Sequence, residues 1–420
     1  MVDFRRCMAA IVALAVIAPL TACGDETEPT FTDPAVAAGT TGPSSSAAPA
    51  TAASAVPESA TVASAATLSI TPAAGKKNVP ISTEIGVKVS GGEVTTVTLT
   101  DAKGKPVAGA MREDGSSWVP AKPLKTEQTY AAKVTATATD GSTTTSTTSF
   151  TTMGEAGKHT GTGLYLFDDH TYGVAMPVVV EFIPGIKKAD RAAVQKRMFV
   201  ETTPSQPGTW SWTSSGTQAY YRAPEYWQTG TEITVRIAVG GLPTGNGYYG
   251  DKDRSATAKI GRKFEMKVDN ATKKMTVLKD DEVVKTMPVS LGKKSTPSSS
   301  GTMVIIEKKA HTVFDTTDTD GASGYRTNID YAQRLTWSGQ YIHSAPWSTG
   351  AQGNSNVSHG CVNVSPSNAV WLFDKTLVGD PVTVKGTGDK LDYGNGWTPW
   401  DLSWEKFAQG SALPVPDSLG

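Results

Sequence analysis

The sequence predicts a mainly β, multidomain chain: two antiparallel β-sandwiches in tandem, then a third β-rich domain with one short helix. Three observations predict it. Apolar residues alternate with polar ones over short Thr- and Val-rich runs, the period-2 pattern of half-buried strands. One phrase of that pattern returns about a hundred residues later. Of 420 residues, roughly 350 follow a low-complexity leader, enough for two or three compact domains.

The leader comes first. Arg5 and Arg6 precede an apolar stretch from Met8 to Leu20. It is too short to span a bilayer and has the shape of a secretory signal, so residues 1–22 are expected to be removed. The stretch ends in Leu20-Thr21-Ala22-Cys23, which resembles the lipobox of bacterial lipoproteins. That resemblance implies that Cys23 is acylated, becomes the new N-terminus and anchors the chain in the outer leaflet of the cell membrane, facing the wall. Each buried methylene adds about 0.8 kcal/mol, so two or three acyl chains anchor stably. The alternative is an ordinary signal cut nearby, with Cys23 left as a thiol. Residues 23–66 are almost entirely Ala, Ser, Thr, Pro and Gly, too poor in apolar groups to offset ordering entropy, and are expected to be a disordered tether. With 39 basic and 40 acidic residues and no basic block, nucleic acid is not an expected partner.

The first sandwich is expected over 67–153. Ile85, Val87 and Val89 alternate before Gly91-Gly92, and Tyr130, Ala132, Val134 and Ala136 alternate before Asp140-Gly141. The recurring phrase is Trp118-Val119-Pro120-Ala121 before Thr129-Tyr130, echoed by Tyr221-Arg222-Ala223-Pro224 before Thr231-Glu232. Val178 to Phe182 supply an earlier strand of the second copy, so a second immunoglobulin-like sandwich is expected over 154–260. Asp168, Asp169 and His170, and Asp251 with Asp253, read as turns rather than as metal ligands; no metal site and no cofactor is expected.

The third domain is expected over 261–390. Phe264, Met266 and Val268, then Met275, Val277 and Leu278, read as a hairpin, with a further strand near Val283 and Met287. Residues 287–302 read as a loop punctuated by Pro and Gly. Residues 308–334 are polar and read as a lid or a long surface loop, with Phe314 as a pocket wall. Ser365-Pro366 is a helix start, with Ala369, Val370, Leu372 and Phe373 on one face. The Trp397, Trp400 and Trp404 stripe in 391–420 is expected to pack that extension onto the third domain, with the residues after Gly410 frayed.

Chemistry concentrates in Ser358-His359-Gly360-Cys361-Val362-Asn363. With Cys7 in the removed segment and Cys23 acylated, Cys361 is the remaining thiol, and an unpaired cysteine in an oxidising compartment is more easily explained by reactivity than by packing. A nucleophilic thiol needs a base. His359 is two residues away, and on an extended strand its Cβ would lie about 6–7 Å from that of Cys361, too far for a direct hydrogen bond. His343, from a separate element, can be set opposite by strand pairing and is expected to take the proton. Gly360 would let a carbonyl approach the backbone, with amides of His359, Gly360 and Cys361 aimed at an oxyanion. The helix start behind the thiol would favour a thiolate.

His343, fourteen intervening residues and then Ser358 to Asn363 resemble the signature of the L,D-transpeptidases, the YkuD-type peptidoglycan cross-linking enzymes. Ile342-His343-Ser344-Ala345-Pro346-Trp347-Ser348 and Asn363-Val364-Ser365-Pro366-Ser367-Asn368-Ala369, with two preceding sandwiches and a lipobox, resemble the mycobacterial-type members. The resemblance implies that Cys361 attacks the third stem residue of a tetrapeptide, D-alanine leaves, and an amine of a second stem resolves the thioester as a 3→3 cross-link. Carbapenems are expected to acylate the same thiol. By the resemblance, Ser344 orients His343 through its carbonyl, His359 and Gly360 lie on the oxyanion side, and Asn363 contacts substrate. Tyr325 belongs to a lid, and Ser338 with Gly339 lines the substrate. Two other readings use the same residues: an L,D-carboxypeptidase or endopeptidase, in which water resolves the thioester, and a non-catalytic lipid-anchored wall-binding protein.

Overall fold

Strand alternation becomes sheet packing in the computed structural model, which describes residues 65–315 and 326–419. The signal segment, nearly all of the tether, Cys7, Cys23 and Tyr325 lie outside the described residues. In the first sandwich Thr67–Thr71, Ile85–Ser90, Ser117–Pro120 and Gly109–Met111 form one sheet. Lys76–Val79, Thr143–Thr152, Thr129–Ala138 and Gly92–Asp101 form the other. Tyr130, Ala132 and Val134 share a core with Ile85, Leu99, Trp118 and Phe150. The turn after Thr129–Ala138 closes through Ala138 N to Ser142 O, 2.8 Å, with Gly141 at φ 83°, a conformation glycine adopts without a Cβ penalty.

The recurring phrase marks equivalent places in two sandwiches. Ser117–Pro120 and Gln218–Arg222 each lie in one sheet and lead to a long strand of the facing sheet, Thr129–Ala138 and Glu232–Ile237. The second copy has a heavier core, with Trp210, Trp212, Tyr220, Tyr221 and Trp227 all buried. Glu84 of the first sandwich pairs with Arg112 and with Arg197 of the second. Burial alone would raise its carboxyl, but these partners pull it down to about 2.

In the third domain a six-stranded sheet runs Glu282–Pro288, Lys274–Lys279, Phe264–Asp269, Pro381–Lys385, Ser299–Val304, Asp389–Lys390. A four-stranded sheet runs Glu307–Asp315, Arg326–Arg334, Tyr341–Ser344, Val362–Val364. Their inner faces meet in a core of Met266, Val277, Met303, Ile342, Val362 and Leu372 among others. Helix Pro366–Lys375 starts at Ser365, whose Oγ accepts from Asn368 N, and buries Ala369 and Leu372. This cap is worth about 1 kcal/mol.

Three expectations change. The polar stretch 308–334 is, over its described residues, an antiparallel ladder from Glu307↔Arg334 to Asp315↔Arg326 rather than a loop. Its apolar residues are few because one face is solvated, which a count of apolar residues does not distinguish from a loop. The loop 287–302 supplies an edge: Ser290 bridges Asn363, Gly292 bridges Ser358, and Ser299–Val304 is already a strand. The C-terminal extension packs on the second sandwich as well as on the third domain, where Asp401 accepts from Thr302 N and Trp397 stands against Trp337. Trp397 and Phe407 join that sandwich's core, and the Arg222 guanidinium lies over Trp400, Trp404 and Phe407 at 4.5, 5.3 and 4.5 Å. Residues beyond Gly410 are tied down, Ser411 and Ala412 both bonding the Gln195 side chain. The aromatic stripe was legible as a packing surface, but a stripe carries no address.

Candidate active site

The site is built where two short parallel strands meet. Tyr341–Ser344 pairs with Val362–Val364 in the register Ile342↔Val362, His343↔Asn363, Ser344↔Val364. Paired residues share a face, so His343 and Asn363 look out on the same side, and Cys361 stands immediately before that strand, against the Tyr341 backbone amide. Ile342, Val362 and Val364 look into the core. One register thus sets the strand that follows the thiol alongside the strand that carries His343. Cys361 is a free, buried cysteine, and its thiol hydrogen-bonds the Gly339 carbonyl oxygen at 3.7 Å.

His343 is 3% exposed, and its Nδ1 lies 2.8 Å from the Ser344 carbonyl oxygen. A carbonyl only accepts, so Nδ1 carries the hydrogen and Nε2 keeps its lone pair. The ring lies between Phe314 (centroids 6.1 Å) and the largely exposed Trp347 (5.9 Å). Burial holds the imidazole below the ordinary histidine value, against the pull of the Ser344 carbonyl and the Asn363 side chain. Burial also pushes the Cys361 thiol up to about 12, the Tyr341 backbone amide opposing it. At neutral pH the resting pair is therefore a neutral thiol and a neutral imidazole. The helix start does not change this: strand Val362–Val364 intervenes, roughly 13 Å of extended chain, and a helix dipole acts within its first turn.

His359 is exposed and points elsewhere, its Nε2 3.0 Å from Lys293 Nζ. Gly360 is required for its backbone, at φ 124°; an added Cβ would meet only ordinary contacts, Gln340 Cγ at 3.5 Å. Its N–H is committed to Ser358 Oγ at 3.1 Å, while Ser358 Oγ–H donates to the Cys361 carbonyl at 2.6 Å. The expected Gly360 oxyanion donor is thus occupied, because the turn uses that amide to hold its own shape. Ser298 Oγ donates to the Gly360 carbonyl at 2.7 Å.

Ser338 and Gly339 form the turn over the thiol, Gly339 at φ 94°. Asn363 Nδ2 donates to Ser348 Oγ at 3.1 Å, and its side chain also lies against the His343 ring. Residues that sequence reasoning gave no role are Ser298, which braces Gly360, and Trp347, which flanks His343. Trp347 stood in the quoted phrase, whereas nothing local marks Ser298. Among the described residues no group of His, Cys, Asp or Glu is placed to hold a metal. Asp251 instead pairs with Arg254, and Asp168 accepts from Thr257 N.

A buried free thiol, next to a strand paired with one that bears an imidazole whose tautomer is fixed by a carbonyl, is the equipment of a cysteine acyl-transfer enzyme. Residues 76–243 match the bacterial Ig domain family and residues 263–384 the L,D-transpeptidase catalytic domain. L,D-transpeptidase 2 of Mycobacterium tuberculosis (strain CDC 1551 / Oshkosh) is 34% identical over 352 residues, 82% of this chain and 85% of that protein. L,D-transpeptidase 5 of strain ATCC 25618 / H37Rv is 34% identical, covering 83% and 78%. The solved structure of LD transpeptidase LdtMt1 in complex with imipenem is similar at 33% identity and a TM-score of 0.46, over 54% of this chain and 99% of that one. The chain belongs to the L,D-transpeptidase family: it is an enzyme of peptidoglycan cross-linking.

Proposed function

We propose that this enzyme makes 3→3 cross-links through a thioester on Cys361. The carrying observation is the His343 tautomer, Nδ1–H on the Ser344 carbonyl, which leaves Nε2 as acceptor on the strand paired with the one that follows Cys361. His343 takes the thiol proton as sulfur attacks the carbonyl of the third stem residue, diaminopimelate. The tetrahedral intermediate then breaks its C–N bond, and D-alanine leaves with the proton from His343. The amine of a second stem's diaminopimelate attacks the thioester, His343 receives its proton, and the proton passes to the departing sulfur. Asn363, directly across from His343 in the strand register, supports a substrate contact beside that imidazole. A carbapenem, its strained amide in place of the stem, acylates the same sulfur. Incubating the purified chain with disaccharide-tetrapeptide tests the reading by product mass. A cross-linked dimer supports it; tripeptide without dimer makes water the acceptor; no product and no carbapenem adduct overturns both.

The lipobox supports a lipoprotein held by Cys23 in the outer leaflet, the tether carrying the catalytic domain into the wall. Labelled palmitate should enter the wild-type chain and not Cys23→Ser, and the variant should leave the membrane fraction. Equal labelling of both would overturn the anchor.

A further inference from the structure

The turn that faces the nucleophile is held from outside the catalytic domain. Thr336 to Gln340 brings the Gly339 carbonyl to 3.7 Å from Cys361 Sγ. Within the turn, Thr336 Oγ1 meets Ser338 Oγ at 3.1 Å and accepts from Gln340 N at 3.0 Å. Its outer side is grasped by Asn395 of the C-terminal extension. Asn395 Oδ1 accepts from Ser338 N at 3.0 Å, and Nδ2 donates to Ser338 Oγ at 2.9 Å. A two-point contact of this kind fixes orientation as well as position. Asn395 is itself anchored. The next residue, Gly396, has no room for a Cβ, which would stand 2.5 Å from the Leu335 carbonyl. Its carbonyl lies 3.1 Å from the Tyr220 hydroxyl in the core of the second sandwich, a hydroxyl shared with Gln218 Oε1 at 2.7 Å. Trp397 stands edge-on to Trp337 of the same turn, centroids 6.5 Å apart.

We infer that Asn395 is a positioning residue for the nucleophile: by gripping Ser338 it keeps the Gly339 carbonyl on Cys361 Sγ and holds the resting thiol capped. A hydrogen bond accepted from the neutral thiol favours the protonated form, and the turn also covers the sulfur. His343 and Tyr341 face the thiol from the adjacent strand, with Lys293 and His359 on the other side of the motif. A substitution at Asn395 leaves all four of these groups in place. The inference rests on Cys361 being the nucleophile and not on which acceptor resolves the thioester.

Alkylation of Cys361 by iodoacetamide across pH tests it on the whole chain, because it reads the thiol without any peptidoglycan acceptor. Asn395→Leu removes both bonds. Its alkylation midpoint should fall by about one pH unit, about tenfold in rate below the midpoint. Asn395→Ala removes the same bonds without adding a bulky apolar group and gives the same reading should leucine not be tolerated. Asn395→Asp keeps both contacts, one carboxylate oxygen accepting from Ser338 N and the other from the Ser338 hydroxyl; because its added charge also opposes the thiolate, its midpoint should stand at or above the wild-type value. An unchanged profile in the variants lacking both bonds overturns the inference. So does a shift in Asn395→Asp equal to theirs.

Discussion

His343 and Cys361 are both held neutral by burial, and this sets how the nucleophile is made. A preformed thiolate would need a cation or a helix N-terminus within reach; here the thiol stands at about 12 and caps onto a carbonyl. In the proposed mechanism the proton moves to Nε2 as sulfur attacks, so acylation requires neutral His343. Because burial lowers this imidazole, it stays neutral below the ordinary 6.5. The single-turnover acylation rate should hold as pH falls through 6.5 and drop at a lower pH. A half-point at or above 6.5 would contradict the assignment. Cys361→Ser should abolish the covalent adduct seen by mass, whereas His359→Ala should leave part of it, since that imidazole turns out to Lys293. Equal, complete loss in both would merge the roles separated here.

At the scale of elements, the loop Ser358 to Cys361 is a small hydrogen-bonded scaffold rather than an open oxyanion cradle. Ser358 Oγ bridges the Gly360 amide and the Cys361 carbonyl, and Ser298 Oγ holds the Gly360 carbonyl. Glycine at 360 follows from φ 124°, not from lack of space. Gly360→Ala should therefore lower stability by about 1–3 kcal/mol through backbone strain, measured by urea unfolding. No change in the urea midpoint would show that the turn relaxes freely. Gly360 was legible as special, but its reason was not, because a backbone angle depends on what the chain is tied to on both sides. The ladder of Glu307–Asp315 with Arg326–Arg334 was illegible for a related reason: a strand solvated on one face carries too few apolar residues to announce itself.

Across the whole molecule, the second sandwich, the catalytic domain and the extension share structure. Gly173 N and Ala175 N bond the carbonyls of Val378 and Gly379, and the next residue, Asp380, is fully buried. Burial pushes its carboxyl up to about 7, despite the Leu377 amide, Arg262 at 3.5 Å and Lys308. Unfolded, the group titrates near the ordinary 3.8. Between these values the folded state keeps a proton that the unfolded state releases, so this carboxyl makes stability fall as pH rises from about 4 to 7. Asp380→Asn should remove that slope. Its unfolding free energy relative to wild type should rise between pH 4.5 and 7.5, whatever constant offset Arg262 adds on losing its partner. Parallel curves would place the proton elsewhere.

The sequence by itself determined the class of fold, the position of the thiol motif and the family, because alternation, turn residues and a short catalytic phrase are local or nearly so. It also made His343 rather than His359 the expected base, since two residues of extended strand cannot close a hydrogen bond. Only the tertiary structure decided that Gly360's amide is already used, that the aromatic tail sits on the second sandwich, and that Asn395 reaches back to the turn over Cys361. Each of these depends on partners tens to hundreds of residues away, and a hydrogen bond or a packed ring is a property of the pair rather than of either residue.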